Sequence, residues 1–233
     1  DCGSWTPVDR MLSEHLSIIT YDQRGVGRTT CPNGSFTIAD LADDAVKLLD
    51  HLGITKASLL GHSMGGFVAM TVALKHPDRI ERLVLAATAA SCSRGNRELF
   101  TRLADLRESG VPFEAFLGNF FSMLFTPAFL DRPEKVLAAL DAVLAYPYRQ
   151  SAAGLRRQVE AAADFSIEKD LGRITAPTTI IAGRHDILMT EAETGRLAES
   201  IPGARLIVLE SAAHAIFAED PAAFSSCVLQ AMR

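Results

Sequence analysis

Three residues of this 233-residue chain have the types needed for acyl transfer. Ser63 sits in Gly61-His62-Ser63-Met64-Gly65-Gly66, which fits G-x-S-x-G. A serine hydroxyl is a poor nucleophile until a base removes its proton. His214, in the small-residue run Ser211-Ala212-Ala213-His214-Ala215, is the best base among six histidines. A third group must fix the tautomer of such a histidine and stabilise its imidazolium. Asp186, in Gly183-Arg184-His185-Asp186, is the candidate. His15, His51 and His76 lie in or at the ends of helical patterns, and His185 only precedes the acid. His62 lies inside the serine pattern, with its side chain expected to point away from the nucleophile.

Each candidate follows a strand. Residues 57–60 form a short apolar run that stops at Gly61, and a helix is expected from 65 to 75, ended by Pro77. Ser63 therefore falls between strand and helix, as a nucleophile elbow requires. The tight turn predicts glycine at both Gly61 and Gly65, because side chains two residues either side of the serine would collide. The following helix points its N–H groups at the reacting centre, so the Met64 N–H is the natural first oxyanion donor. Asp186 follows a strand at 178–182, and His214 follows one at 206–209. In a parallel sheet all three lie at the C-terminal edge, in the order Ser, Asp, His of one hydrolase architecture.

Further strands are expected at 17–21 and 83–87. Helices are expected after Thr37, with Asp40 three residues on, after Thr190, and at Asp220-Pro221. Alternating strands and helices argue an α/β fold: a mostly parallel sheet with helices on both faces. From 94 to 168 only helical patterns appear, with Leu99, Leu103 and Leu106 on one stripe and Val136, Leu137, Leu140, Val143 and Leu144 on another. This divides the chain into a core segment 1–93, a helical cap 94–168 and a second core segment 169–233. Phe113, Phe116, Phe120, Phe121 and Phe125 form either the core of that insertion or the lining of a substrate pocket. Asp22 ends the 17–21 run and reads as a brace for the Gln23–Arg28 loop, with Arg24 supplying hydrogen bonds.

Composition narrows the function classes. The net charge is −5 and the arginines are scattered, which argues against nucleic acid as a partner. The longest apolar stretch, 83–90, is far short of the roughly 18 residues of a membrane span. Cys2, Cys31, Cys92 and Cys227 lack zinc or redox spacing and read as reduced, mostly buried thiols of a cytoplasmic protein. No metal-ligand spacing or nucleotide-binding glycine pattern appears, so neither metal nor cofactor is expected.

Taken together, Tyr21-Asp22-Gln23-Arg24-Gly25, the Gly-His-Ser-Met-Gly-Gly elbow, Gly183-Arg184-His185-Asp186 and Ala213-His214 make the chain resemble the α/β-hydrolase superfamily, in its capped serine-hydrolase branch. It is similar to small carboxylesterases and 3-oxoadipate enol-lactonase-like hydrolases. The resemblance implies Ser63, Asp186 and His214 as triad, Met64 N–H as oxyanion donor, and a small ester or lactone as substrate. It also implies upstream strands and a His-Gly loop carrying a second oxyanion donor, so the chain reads as N-terminally incomplete. Three other readings stay open: a proline iminopeptidase-like peptidase, with Glu114 or Glu134 holding an amine; a cofactor-free perhydrolase or C–C hydrolase; and a non-catalytic binding protein on the same fold.

Overall fold

The computed structural model describes residues 1–31 and 33–233. The chain opens with α1 (Thr6–Ser13) and α2 (Ile38–His51). Then come β1 (Ala57–His62), α3 (Met64–Lys75) and β2 (Ile80–Ala86). Five helices follow: α4 (Arg94–Glu108), α5 (Phe113–Leu124), α6 (Pro127–Leu130), α7 (Pro133–Ala145) and α8 (Ala152–Ala163). The chain returns through β3 (Thr178–Gly183), α9 (Glu191–Ser200), β4 (Arg205–Leu209), α10 (Ile216–Glu219) and α11 (Pro221–Ala231).

The four strands lie in the order β1-β2-β3-β4, each parallel to its neighbour. Alternate residues of a strand face opposite sides of a sheet, and β2 follows this rule. Leu83 and Leu85 pack with α2, α3 and α9 on one face, while Val84 and Ala86 pack with α1, α10 and α11 on the other. Both faces are covered, so Leu83–Ala86 of β2 and Ile180–Gly183 of β3 are apolar without polar alternation. α3 is buried nearly all round, from Gly66 to Ala73, because it lies between the sheet and α2. The capping box at Thr37/Asp40 and the cap at Thr190 form as expected, and Glu193 completes a second capping box with Thr190.

The run at 17–21 is not a strand. A β-prone sequence becomes a strand only with a ladder partner, and these residues make no backbone hydrogen bond to any of the four strands. Ile18 and Ile19 stand exposed. The four cysteines are free but half-buried, not mostly buried, because each lies at a margin of the packed layers.

The helices of the insertion share their own apolar centre. Leu103, Phe116, Leu117, Phe121, Phe125 and Phe129 are buried there, with Phe113 and Phe120 partly so. The phenylalanines thus form the core of the insertion. Arg156 binds α8 to α4 by ion pairs with Asp105 and Glu108. Gly154, at the start of α8, packs directly on the Gly25 backbone, where a Cβ would strike the Gly25 carbonyl oxygen.

Two substitutions test this assignment by chemical denaturation. Leu85→Ala, at a wholly buried position, lowers unfolding free energy by about 2–5 kcal/mol. Ile19→Ser, at an exposed and unpaired position, changes it by no more than about 0.5 kcal/mol.

Candidate active site

Ser63 occupies the turn between β1 and α3 with φ of 53° and ψ of −123°, a conformation that costs a non-glycine residue of order 1–3 kcal/mol. Three hydrogen bonds hold its backbone. Its N–H donates to the Ala86 carbonyl at 2.9 Å. Its carbonyl accepts from the Gly66 N–H at 2.8 Å and from the Thr88 hydroxyl at 2.8 Å. The serine is therefore fastened to the end of β2.

The glycines of the elbow divide differently from the expectation. A Cβ on Gly61 would run into the backbone of Gly65 and Gly66, as predicted. A Cβ on Gly65 would meet nothing within 4 Å. The crowded position after the serine is Gly66, whose Cβ would collide with the Thr88 side chain. The collision comes from the neighbouring β2 loop, which local spacing does not reveal.

Asp186 and His214 are both buried, at 5% and 3% exposure. The His214 Nδ1–H donates to Asp186 Oδ2 at 2.8 Å. The second carboxylate oxygen accepts the N–H groups of Leu188 (2.8 Å) and Met189 (2.9 Å). With three donors the carboxylate cannot swing. Nδ1 is committed to Asp186, so Nε2 of His214 is the nitrogen left to accept a proton. Gly183 lets the two loops close, since a Cβ there would meet the carbonyl oxygens of Ala212 and Ala213.

His62 was not expected to act, yet it holds the His214 backbone in place. Its Nε2 donates to the His214 carbonyl at 2.9 Å, and its ring packs 5.0 Å from Phe217 and 4.9 Å from the His214 ring, centroid to centroid. Burial, and then the nearby His214, pushes its pKa down to about 3 from an ordinary 6.5. The ring is thus neutral at working pH, with one N–H to give. Its place within the serine pattern was the only sequence signal.

Asp22 belongs to a separate brace. Burial pushes its carboxyl up, but the N–H groups of Arg28 and Cys2 outweigh this and bring it down to about 2. Those contacts measure 3.0 Å and 2.7 Å. Arg24 does not join them. It forms a two-pronged pair with Asp44 at 2.6 Å, tying the loop to α2. Glu114 and Glu134 sit in the first turns of α5 and α7. An open cavity of about 460 Å³ lies on the far side of the acid loop, between Asn96 on α4 and Leu188 and Thr190 before α9.

The family model for the alpha/beta hydrolase fold matches residues 2–221. The chain belongs to the α/β-hydrolase fold family. It is 34% identical over 230 residues to 3-oxoadipate enol-lactonase 2 of Acinetobacter baylyi, covering 98% of this chain and 83% of that protein. It is 32% identical to RutD of Agrobacterium fabrum, named for a proposed carbamate hydrolase activity, covering 97% of this chain and 86% of that protein. Among solved structures, the enol-lactonase from Burkholderia xenovorans superposes with a TM-score of 0.89 at 30% identity, covering all of this chain and 86% of that one. The two sequence relatives above are named as hydrolases, and this chain is an enzyme of the hydrolase kind. Among the described residues no helix is long and apolar enough to cross a membrane.

The elbow makes two stability predictions, read as thermal midpoints. Gly61→Ala lowers the midpoint by several degrees, since backbone must move. Gly65→Ala leaves it unchanged or raises it slightly, because alanine is worth roughly 0.5–1 kcal/mol over glycine inside a helix.

His62 predicts a pH effect. Its folded pKa lies below its unfolded value, so the unfolded chain binds the extra proton between about pH 6.5 and 3. Stability attributable to it therefore falls on acidification through that window, with a slope of at most about 1.4 kcal/mol per pH unit. Equilibrium unfolding of His62→Gln across the window shows a shallower dependence.

Proposed function

We propose that the enzyme hydrolyses a carboxylic ester or lactone through an acyl-enzyme on Ser63. His214 Nε2 takes the proton from Ser63 Oγ as the oxygen attacks the carbonyl carbon. Asp186 holds the Nδ1–H tautomer and stabilises the imidazolium. The Met64 N–H, in the first turn of α3, donates to the developing oxyanion. Collapse of the tetrahedral intermediate breaks the C–O bond, and His214 returns the proton to the leaving alcohol. His214 then takes a proton from water, which attacks the acyl carbonyl, and gives that proton to Ser63 Oγ as the acyl C–Oγ bond breaks and the carboxylic acid leaves. No cofactor enters this cycle.

The observation that carries the reading is the 2.8 Å bond from a buried histidine to a buried aspartate, at the sheet edge where Ser63 sits in its strained turn. A histidine oriented by a carboxylate at the same sheet edge as such a serine supplies the groups acyl transfer needs. The resemblance to enol-lactonases at 30–34% identity agrees with a lactone or ester substrate. On this reading the insertion, residues 94–168, is a cap between the core segments 1–93 and 169–233, and favours a small, partly apolar substrate. RutD places carbamate esters in the same test panel.

The test is labelling with a fluorophosphonate, read by peptide mass spectrometry, beside assays on ester, lactone, carbamate and arylamide panels. The expected result is one adduct on the Ser63 peptide and turnover of esters or lactones. Ser63→Ala and His214→Ala each lose about 10⁶-fold in kcat, and Asp186→Asn about 10⁴-fold. An unlabelled Ser63 in folded protein refutes the reading, and arylamide turnover above ester turnover favours a peptidase.

A further inference from the structure

Glu219, at the end of α10, faces the seam between the sheet and the insertion. Its Oε1 accepts both the N–H and the hydroxyl of Thr126, each at 2.7 Å. Its Oε2 accepts the N–H of Ala213, the residue before the base. Thr126 is buried at the junction of α5 and α6, and its hydroxyl oxygen also accepts the Phe129 N–H at 3.2 Å. A second tie runs beside the first: the N–H of Ala215 donates to the Leu124 carbonyl at 2.9 Å. Ala215 is therefore bonded directly to Leu124, and Ala213 is linked to Thr126 through the Glu219 carboxylate, while the His214 carbonyl is held from the sheet side by His62.

We propose that Glu219 is a positioning residue: it fastens the segment that carries the base to the α5–α6 junction, so that the insertion helps set where the His214 imidazole stands. Among the described residues no basic side chain forms an ion pair with Glu219. Its charge is spent on two backbone N–H groups and one hydroxyl, as in a backbone organiser. Glutamine would put an NH₂ against one of those donors, leaving an N–H unpaired in the seam. A displacement of the base by about 1 Å is enough to cost some 10²-fold in rate. The inference rests on reading His214 as the base.

The experiment uses the full chain with Glu219→Gln, Thr126→Val and the double variant. It reads the rate of fluorophosphonate labelling at Ser63 per folded molecule, and the low-field proton resonance of the His214–Asp186 hydrogen bond. Thr126→Val keeps the backbone N–H and the side-chain shape, so it serves even if Glu219→Gln folds poorly. The expected result is labelling slowed about 10- to 100-fold by Glu219→Gln, less by Thr126→Val, with the resonance shifted or broadened. The double variant is no slower than Glu219→Gln, because the two residues share one interaction. Parental rates and an unchanged resonance in folded variants overturn the proposal while leaving the acyl-transfer reading intact. An unlabelled Ser63 in the parent removes both.

Discussion

The backbone at Ser63 turns through a conformation no ordinary residue prefers, and the surrounding core makes that turn the lower-energy choice. β1 ends in it, α3 begins from it, and Ala86 and Thr88 at the end of β2 hold it with hydrogen bonds. Strain of 1–3 kcal/mol persists only where the surroundings over-determine the geometry. Here the surroundings are a buried helix behind the turn and the buried residues Leu83–Ala86 of the strand beside it. Gly61 is glycine because the backbone of α3 lies too close for a side chain, and Gly66 because Thr88 does.

The parallel register does the rest of the assembly. Because β1, β3 and β4 all end on one edge, the loops leaving them meet there without a long excursion. The acid loop is then locked by its own N–H groups on Asp186. The loop of the histidine has one internal lock, the Ala213 N–H on Glu219, and needs more. Its backbone is also held from outside, by His62 on the sheet side and by Leu124 on the insertion side. The insertion is thus more than a covering layer, since its phenylalanine core touches Ala215 directly.

The Asp22 brace shows the same economy with charge. A buried carboxylate is costly unless donors surround it, and Asp22 has the N–H groups of Cys2 and Arg28. Arg24, only two residues away, turns instead to Asp44 on α2. The loop between them is held to two different parts of the core, which keeps it against the α8 end of the insertion.

Much of this was legible in the sequence because it depends on local pattern. Apolar runs of strand length, Pro and Gly punctuation, and caps located every strand of the sheet and α2, α3, α9 and α11, while α1 and α10 were not read. The order Ser63, Asp186, His214, each after its own strand, already implied one shared edge. Three things depended instead on contacts between distant residues. Residues 17–21 have the composition of a strand but no ladder partner, and pairing is a property of two segments. Gly65 and Gly66 could not be ranked, because the obstacle is Thr88 on another loop. His62 and Glu219 were invisible as holders of the His214 segment, since their partners His214 and Thr126 lie 152 and 93 positions away. The sequence by itself determined which residues could react and in which layer they stand. Only the tertiary structure decided what holds them still, because a hydrogen bond across a seam is set by the packing of both sides.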